Sequence, residues 1–136
     1  MLMTVVAVAF VNGEGEVLLA QRPPGKFMAG MWEFPGGKIE AGETPEQALI
    51  RECHEELGVE ITAQALKPFT FISHAYPEKD FHLLMPLYLC HEWGGEMQGI
   101  EGQSLAWVQP EDMINYLVTP ADLPLVEALC DGIPPA

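Results

Sequence analysis

Residues 35–58, PGGKIEAGETPEQALIRECHEELG, constrain the fold of this chain more tightly than any other stretch. Pro35-Gly36-Gly37 dictates an irregular backbone, because proline lacks an amide donor and glycine admits conformations closed to other residues. KIEAGE continues as a loop. Thr44 then stands as N-cap, Pro45 takes the first helical position, and Gln47 completes a T-x-x-Q capping box. Gly58 supplies the stop. Ile50, Cys53 and Leu57, flanked by Leu49, form the apolar stripe that such a helix buries. On another arc stand Glu52, Glu55 and Glu56, at i, i+3 and i+4, with no lysine among them.

Like charges at this spacing cost about 0.2–0.5 kcal/mol per pair. A solvated helix face is the ordinary explanation, and Arg51 supports it by reaching Glu55 at i+4. Glu52 and Glu56 have no such neighbour. Three carboxylates on one face, behind a glycine loop with free carbonyls, suit a hard divalent cation, Mg²⁺ or Mn²⁺. Such an ion would offset the local negative field and admit a phosphate chain.

The rest of the chain narrows the partners. Its 136 residues predict one domain, 1–136, with a single sizeable core. With 20 acidic against 6 basic residues, a net charge of −14, it lacks the Lys and Arg clusters that a nucleic-acid polymer or an anionic membrane requires. Cys53, Cys90 and Cys130 are odd in number and far apart, which fits a reducing cytoplasm. The opening MLMTVVAVAFV is too short to span a bilayer and lacks the charged front of a signal peptide, so it reads as a strand. A monomer and a homodimer both fit.

TVVAVAFV, the turn NGEG and EVLLAQR read as a β-hairpin. KPFTFISH and FHLLMPLYLC read as strands, the second placed near an edge or bulge because of Pro86. SLAWV is a short strand, PEDM starts a helical turn, and DLPLVEALCDG is a terminal helix. The elements sum to an α/β (α+β) architecture, a mixed sheet flanked by helices. The four histidines show neither metal spacing nor a paired nucleophile, and read as structural or exposed.

Gly37, five residues, Glu43, seven residues and then RECHEELGV resembles the Nudix box of the Nudix hydrolase family. Seven identities at fixed spacing arise by chance roughly once in 10⁸ to 10⁹ starting points at average residue usage. EFPGGKIEAGETPEQAL, Glu101-Gly102-Gln103 followed by Trp107, and PADLP fall in the order of the MutT type of that family, whose members hydrolyse nucleoside triphosphates and cleanse oxidised guanine nucleotides. Cys53 departs from the pattern, since the family usually places a bulky aliphatic residue there. The resemblance implies a Nudix fold, a mixed sheet sandwiched between helices.

It also implies roles. The Gly36 carbonyl, Glu52 and Glu56 would hold the metal, with Glu55 and Glu101 close by; Glu43 would support helix and loop, and Arg51 would orient a glutamate. Glu52 is the first candidate for the general base and Glu101 the second. Attack on a phosphate of the triphosphate would release a nucleoside monophosphate and pyrophosphate. Arg22 matches a nucleotide-touching arginine, or is a strand-end surface charge. Phe34 lies against the base or fills the core. Gly37 belongs with the loop that meets the substrate, and Lys38 faces phosphate or, more simply, solvent. Tyr76 and Lys79 sit in a loop where a nucleoside could be clasped. Asp122 stands where the MutT type has asparagine: it reads the base, caps the last helix, or both. An ionised aspartate accepts only, whereas an amide both donates to a guanine O6 and accepts from the N7–H of 8-oxoguanine. That difference sets 8-oxo-dGTP against cytidine nucleotides or another diphosphate compound as substrate. A recognition module of the same fold typically loses glutamates from the box; here all three are present.

Overall fold

The computed structural model describes residues 1–136. Seven strands and two helices follow in order: β1 Leu2–Phe10, β2 Val17–Gln21, β3 Trp32–Glu33, β4 Gly36–Lys38, α1 Pro45–Leu57, β5 Leu66–Tyr76, β6 Phe81–Cys90, β7 Leu105–Val108 and α2 Leu123–Asp131. Four short 3₁₀ turns lie between them, two of which (Pro110–Asn115 and Pro120–Asp122) lead into α2. The architecture is α+β, on two sheets.

The four-stranded sheet runs β4-β1-β6-β5, with β1 and β6 parallel and the outer pairs antiparallel. The three-stranded sheet runs β3-β2-β7 and is wholly antiparallel. β1 reads as an unbroken apolar run because both its faces are buried. Val6, Val8 and Phe10 join the core packed under α1, with Leu49, Cys53 and Leu57. Ala7, Ala9 and Val11 join the opposite core, with Leu125, Val126 and Leu129 of α2. The period of two thus puts one helix on each face of the strand.

α1 begins and ends at the expected residues. Thr44 accepts from Gln47 N–H at 3.1 Å, Gln47 Oε1 accepts from Thr44 N–H at 2.9 Å, and Gly58 closes the helix at φ 71°. Its buried stripe is Ala48, Leu49, Cys53 and Leu57, while Ile50 is only half-buried at its margin. Cys53 is fully buried, so the smaller residue sits within the packed face.

Two strand readings are corrected. Asn12 does form the turn, its Oδ1 accepting from Glu14 N–H at 3.0 Å and Glu16 N–H at 2.9 Å. However, β1 and β2 share only the Val11–Val17 bridge before parting onto separate sheets, so no hairpin ladder forms. Pro86 lies not at an edge but in β6, between β1 and β5. Its missing amide falls where the β1–β6 ladder skips, from Thr4–Leu84 to Ala7–Leu87, and a register shift in β5 at Pro68/Thr70 lies close by. No helix is long and apolar enough to cross a membrane.

Because the capping box satisfies two donors at the start of α1, Thr44→Ala is expected to cost about 1 kcal/mol and to lower Tm by about 3 °C in a thermal melt.

Candidate active site

A cavity of about 570 Å³ opens between the glycine strand β4, helix α1 and the segment leading into α2. Arg51 builds its acidic end. The guanidinium donates to Glu43 Oε2 at 2.7 Å and Oε1 at 2.9 Å, to Glu52 Oε1 at 2.7 Å, and to the Lys38 carbonyl at 3.2 Å. Loop, strand and helix are thereby joined. Paired with Arg51, Glu43 has its pKa lowered to about 2, and Arg51 is itself pushed up by Glu43 and Glu52. Glu43 also accepts from Glu40 N–H at 3.0 Å, as expected of a residue that braces the loop.

Gly37 is required for a steric reason. A Cβ there would stand 2.5 Å from Glu52 Oε2 and 2.8 Å from Oε1, inside the carboxylate's place. Gly36, paired with Ala7, is equally constrained, since a Cβ would collide with the Val6 carbonyl. Glu56 stands beside Glu52 on the cavity wall. Burial first, then hydrogen bonding to and repulsion by Glu52, raises the pKa of Glu56, with Glu101 and Glu33 adding to the repulsion. The pair therefore holds a proton that a lone glutamate would have lost. Two carboxylates pressed together beside a glycine backbone are a donor set that a hard divalent cation satisfies better than a proton does.

Of the expected residues, α1 turns only Glu52 and Glu56 into the cavity. Glu55 is exposed, does not line it, and comes no nearer than 3.8 Å to Arg51, so the expectation of three converging glutamates is corrected. The side chain of a helix residue three positions from Glu52 is rotated outward, past the wall that Glu52 and Glu56 occupy. Glu101 lies exposed on the cavity rim, and no three acidic or histidine side chains form a closed cage. Lys38 is exposed at the same rim.

The remaining wall is apolar and aromatic. Phe34 is 3% exposed and both lines the cavity and belongs to the core. Tyr76 and Phe81 line it as well, their rings 5.0 Å apart, while Lys79 stays outside, 5.0 Å above the Phe27 ring. Arg22 borders the cavity with its charge engaged: Nη1 donates to both Glu33 oxygens, at 2.9 and 3.0 Å, and Nε donates to the Phe27 carbonyl at 2.6 Å. A plain surface charge it is not.

Asp122 does not cap α2, because its side chain makes no bond to the helix start. It is 3% exposed, lines the cavity, and accepts from Phe34 N–H at 3.2 Å through Oδ2. Burial and repulsion by Glu33 raise its pKa to about 7, against the bonds from Phe34 and Thr119 and the charge of Arg22. Glu33 and Thr119 were not singled out by the sequence. Glu33 acts on both Glu56 and Asp122, and so stands between the two ends of the cavity. A lone acid before Phe-Pro-Gly-Gly carries no local signal of that placement.

The raised pKa makes a signed prediction. In the fold Asp122 keeps its proton after the unfolded chain has lost it, so its contribution lowers stability as pH rises from about 4 to about 7, and is level above. The Tm of Asp122→Asn minus that of the wild type should therefore grow across this interval and then plateau, as followed by calorimetry against pH.

The chain is similar to known proteins along most of its length. A family model described as "NUDIX domain" matches residues 6–128. The chain is 39% identical over 136 residues to the CTP pyrophosphohydrolase of Escherichia coli, covering 94% of this chain and 92% of that protein. It is 41% identical over 126 residues to the 8-oxo-dGTP diphosphatase of Haemophilus influenzae, covering 91% of this chain and 89% of that one. The solution structure of the E. coli ORF135 protein superposes with a TM-score of 0.82 at 36% identity, over 96% of this chain and 89% of that one. A match running from β1 into α2, with relatives aligned along nearly their whole length, means that the chain belongs to the NUDIX domain family and is a Nudix hydrolase.

Proposed function

We propose that the chain, working as one domain over residues 1–136, hydrolyses a nucleoside triphosphate to the monophosphate and pyrophosphate. The observation that carries this reading is a single cavity with a glutamate pair at one end and a buried aspartate among aromatic rings at the other. The first suits a phosphate chain once a cation is present, and the second suits a base. Nudix hydrolases generally need a divalent metal. Here Mg²⁺ or Mn²⁺ would be held by Glu52, Glu56 and the Gly36 carbonyl, with Glu101 approaching from the rim. When bound, the cation neutralises the phosphate oxygens and acidifies water.

The chain's own residues do the rest. Arg51 and Gly37 fix the Glu52 carboxylate, which suits a ligand. The Glu101 carboxylate has no side-chain partner and stands at the cavity mouth, which suits a group that takes a proton from the attacking water and releases it. The geometry therefore favours Glu101 over Glu52 as base, reversing the order expected from the sequence. Arg22, tied to Glu33 and Phe27, shapes the nucleotide wall, with Phe34 behind it. Gly37 and Lys38 flank the phosphate path. The three cysteines are unpaired, in keeping with a cytoplasmic enzyme.

8-Oxo-dGTP is the leading substrate, with nucleotide-pool sanitation the role that follows. Burial raises the pKa of Asp122 to about 7, which makes its protonated form accessible near neutral pH, and that form donates to O6 and accepts from N7–H, as an amide would. A second reading has a specific observation in its favour. An ionised Asp122 accepts from a cytosine amino group, and the 39%-identical E. coli relative is a CTP pyrophosphohydrolase.

Pyrophosphate release measured across 8-oxo-dGTP, dGTP, dCTP, CTP and ADP-ribose tests the reading. The highest kcat/KM is expected for 8-oxo-dGTP; a cytidine nucleotide in first place would remove the sanitation role, and no release from any would remove the enzyme. Glu52→Gln is expected to lower kcat by about 100-fold or more while nucleotide still binds. Mg²⁺ at about 100 times its dissociation constant should stabilise the wild type by about 2.7 kcal/mol, and Glu56→Gln should largely lose that shift in a thermal melt.

A further inference from the structure

Helix α1 ends, like any helix, with carbonyls that have no partner inside it. Gly58 turns the chain away and closes its own amide on His54 O at 3.1 Å. The carbonyls of Glu56 and Leu57 are taken up by one loop far along the chain. Ile100 N–H donates to Glu56 O at 3.1 Å and Gln98 N–H to Leu57 O at 3.0 Å. Gln103 adds a second donor on Glu56 O, from Nε2 at 3.0 Å. The same side-chain amide accepts Glu101 N–H at Oε1, at 2.9 Å. Together the two bonds fix the amide's orientation, since only its oxygen can face an N–H and only its nitrogen a carbonyl.

The loop around this amide has little slack. A Cβ at Gly99 would collide with the Gln103 carbonyl, and one at Gly58 would stand 2.9 Å from Ile100 Cδ1. Gly102, at φ 83°, closes the turn by donating to Gly99 O at 2.9 Å. Glu101 sits in the middle, its carboxylate unpartnered and its backbone gripped by Gln103.

We propose that Gln103 is a positioning residue, which locks the loop carrying Glu101 onto the helical turn carrying Glu56 and so sets where the Glu101 carboxylate stands relative to the Glu52–Glu56 pair. The inference rests on the reading of Glu101 as part of the hydrolytic site. Without the side-chain amide, the Ile100 and Gln98 bonds keep the loop docked, so the fold persists while Glu101 gains freedom. Misplacement of a reacting group by about 1 Å costs about 100-fold in rate.

The test is a double-mutant cycle on the best-hydrolysed triphosphate, using Gln103→Met, which keeps the length and removes both bonds, with Glu101→Gln. Gln103→Met is expected to lower kcat by about 10- to 100-fold with KM within about twofold, and to add nothing in the Glu101→Gln background. Amide exchange of the metal-free protein gives a readout apart from activity: the Glu101 N–H should exchange several-fold faster in Gln103→Met, with the Ile100 N–H unchanged. Gln103→Glu keeps the acceptor for Glu101 N–H but sets a carboxylate against the Glu56 carbonyl; it should lose as much, and it carries the same cycle if Gln103→Met does not fold. Unchanged kcat, an unchanged Glu101 exchange rate, or a loss that repeats in full beside Glu101→Gln overturns the proposal. Full activity of Glu101→Gln overturns it while leaving the hydrolase reading intact, and no hydrolysis of any triphosphate overturns both.

Discussion

The Arg51 guanidinium donates to both oxygens of Glu43, to Glu52 and to the Lys38 carbonyl, and in doing so ties a glycine strand, a loop and a helix together at the acidic end of the cavity. The planar fork matters more than the charge, because three acceptors in different directions are met at once. An ammonium carries its three donors on a single nitrogen and lacks the parallel pair that meets both oxygens of Glu43. Everything at the acidic end follows from this joint. Glu43 is spent on Arg51 and on Glu40 N–H, Glu52 is held against Gly37, and Glu56 is left with Glu52 as its nearest charged neighbour.

That arrangement is costly for the fold taken alone. Two carboxylates share a partly buried wall in a chain of net charge −14, and no lysine or arginine compensates Glu56. Folding tolerates the cost because α1 is secured elsewhere. Its capping box is complete, its buried face includes Leu49 and Leu57 at zero exposure, and its last carbonyls are taken up by the loop 98–103. Burying two leucines stabilises by about 3–6 kcal/mol, which helps offset the cost of a like-charge pair that can still share a proton. The helix is built well enough to carry an unfavourable site.

How far the sequence could be read depends on how local each signal is. The helix 45–57 was legible to the residue, since Thr44, Pro45, Gln47 and Gly58 act within a few positions of one another. β6 was legible as a run but not in its place, because Pro86 argues equally for an edge or a bulge, and only the pairing, with a skipped β1 ladder and a register shift in β5 close by, excludes the edge. The β1–β2 turn was legible at Asn12, yet the sheets part after one bridge, and nothing in TVVAVAFV or EVLLAQR says which neighbours each strand will find. Asp122, just before Leu-Pro, reads from the sequence as base reader, helix cap or both; the bond from Phe34 N–H, 88 positions away, is what holds its carboxyl away from the helix start. Gln103 and Glu56 are 47 positions apart, and that bond has no sequence signature.

The same contrast explains why the reaction is easier to read than the base. The acidic end draws Gly36, Gly37, Glu43, Arg51, Glu52 and Glu56 from 21 consecutive positions (36–56), so its spacing is nearly a transcript of its geometry. The other end draws Phe34 from beside β3, Tyr76 and Phe81 from the paired ends of β5 and β6, and Asp122 from the start of α2. Their mutual distances are set by packing across two sheets, where a change of one atom at Asp122, carboxyl for amide, alters which donors and acceptors face the base without disturbing any element around it. The acidic end is thus set mostly by one contiguous stretch, joined only by Glu101 from the loop 98–103, while the proposed base preference rests on Asp122, whose pKa is raised by burial first and then by Glu33, with Arg22 opposing. A scaffold divided in this way can keep its hydrolytic step and change its nucleotide by substitutions at one end alone.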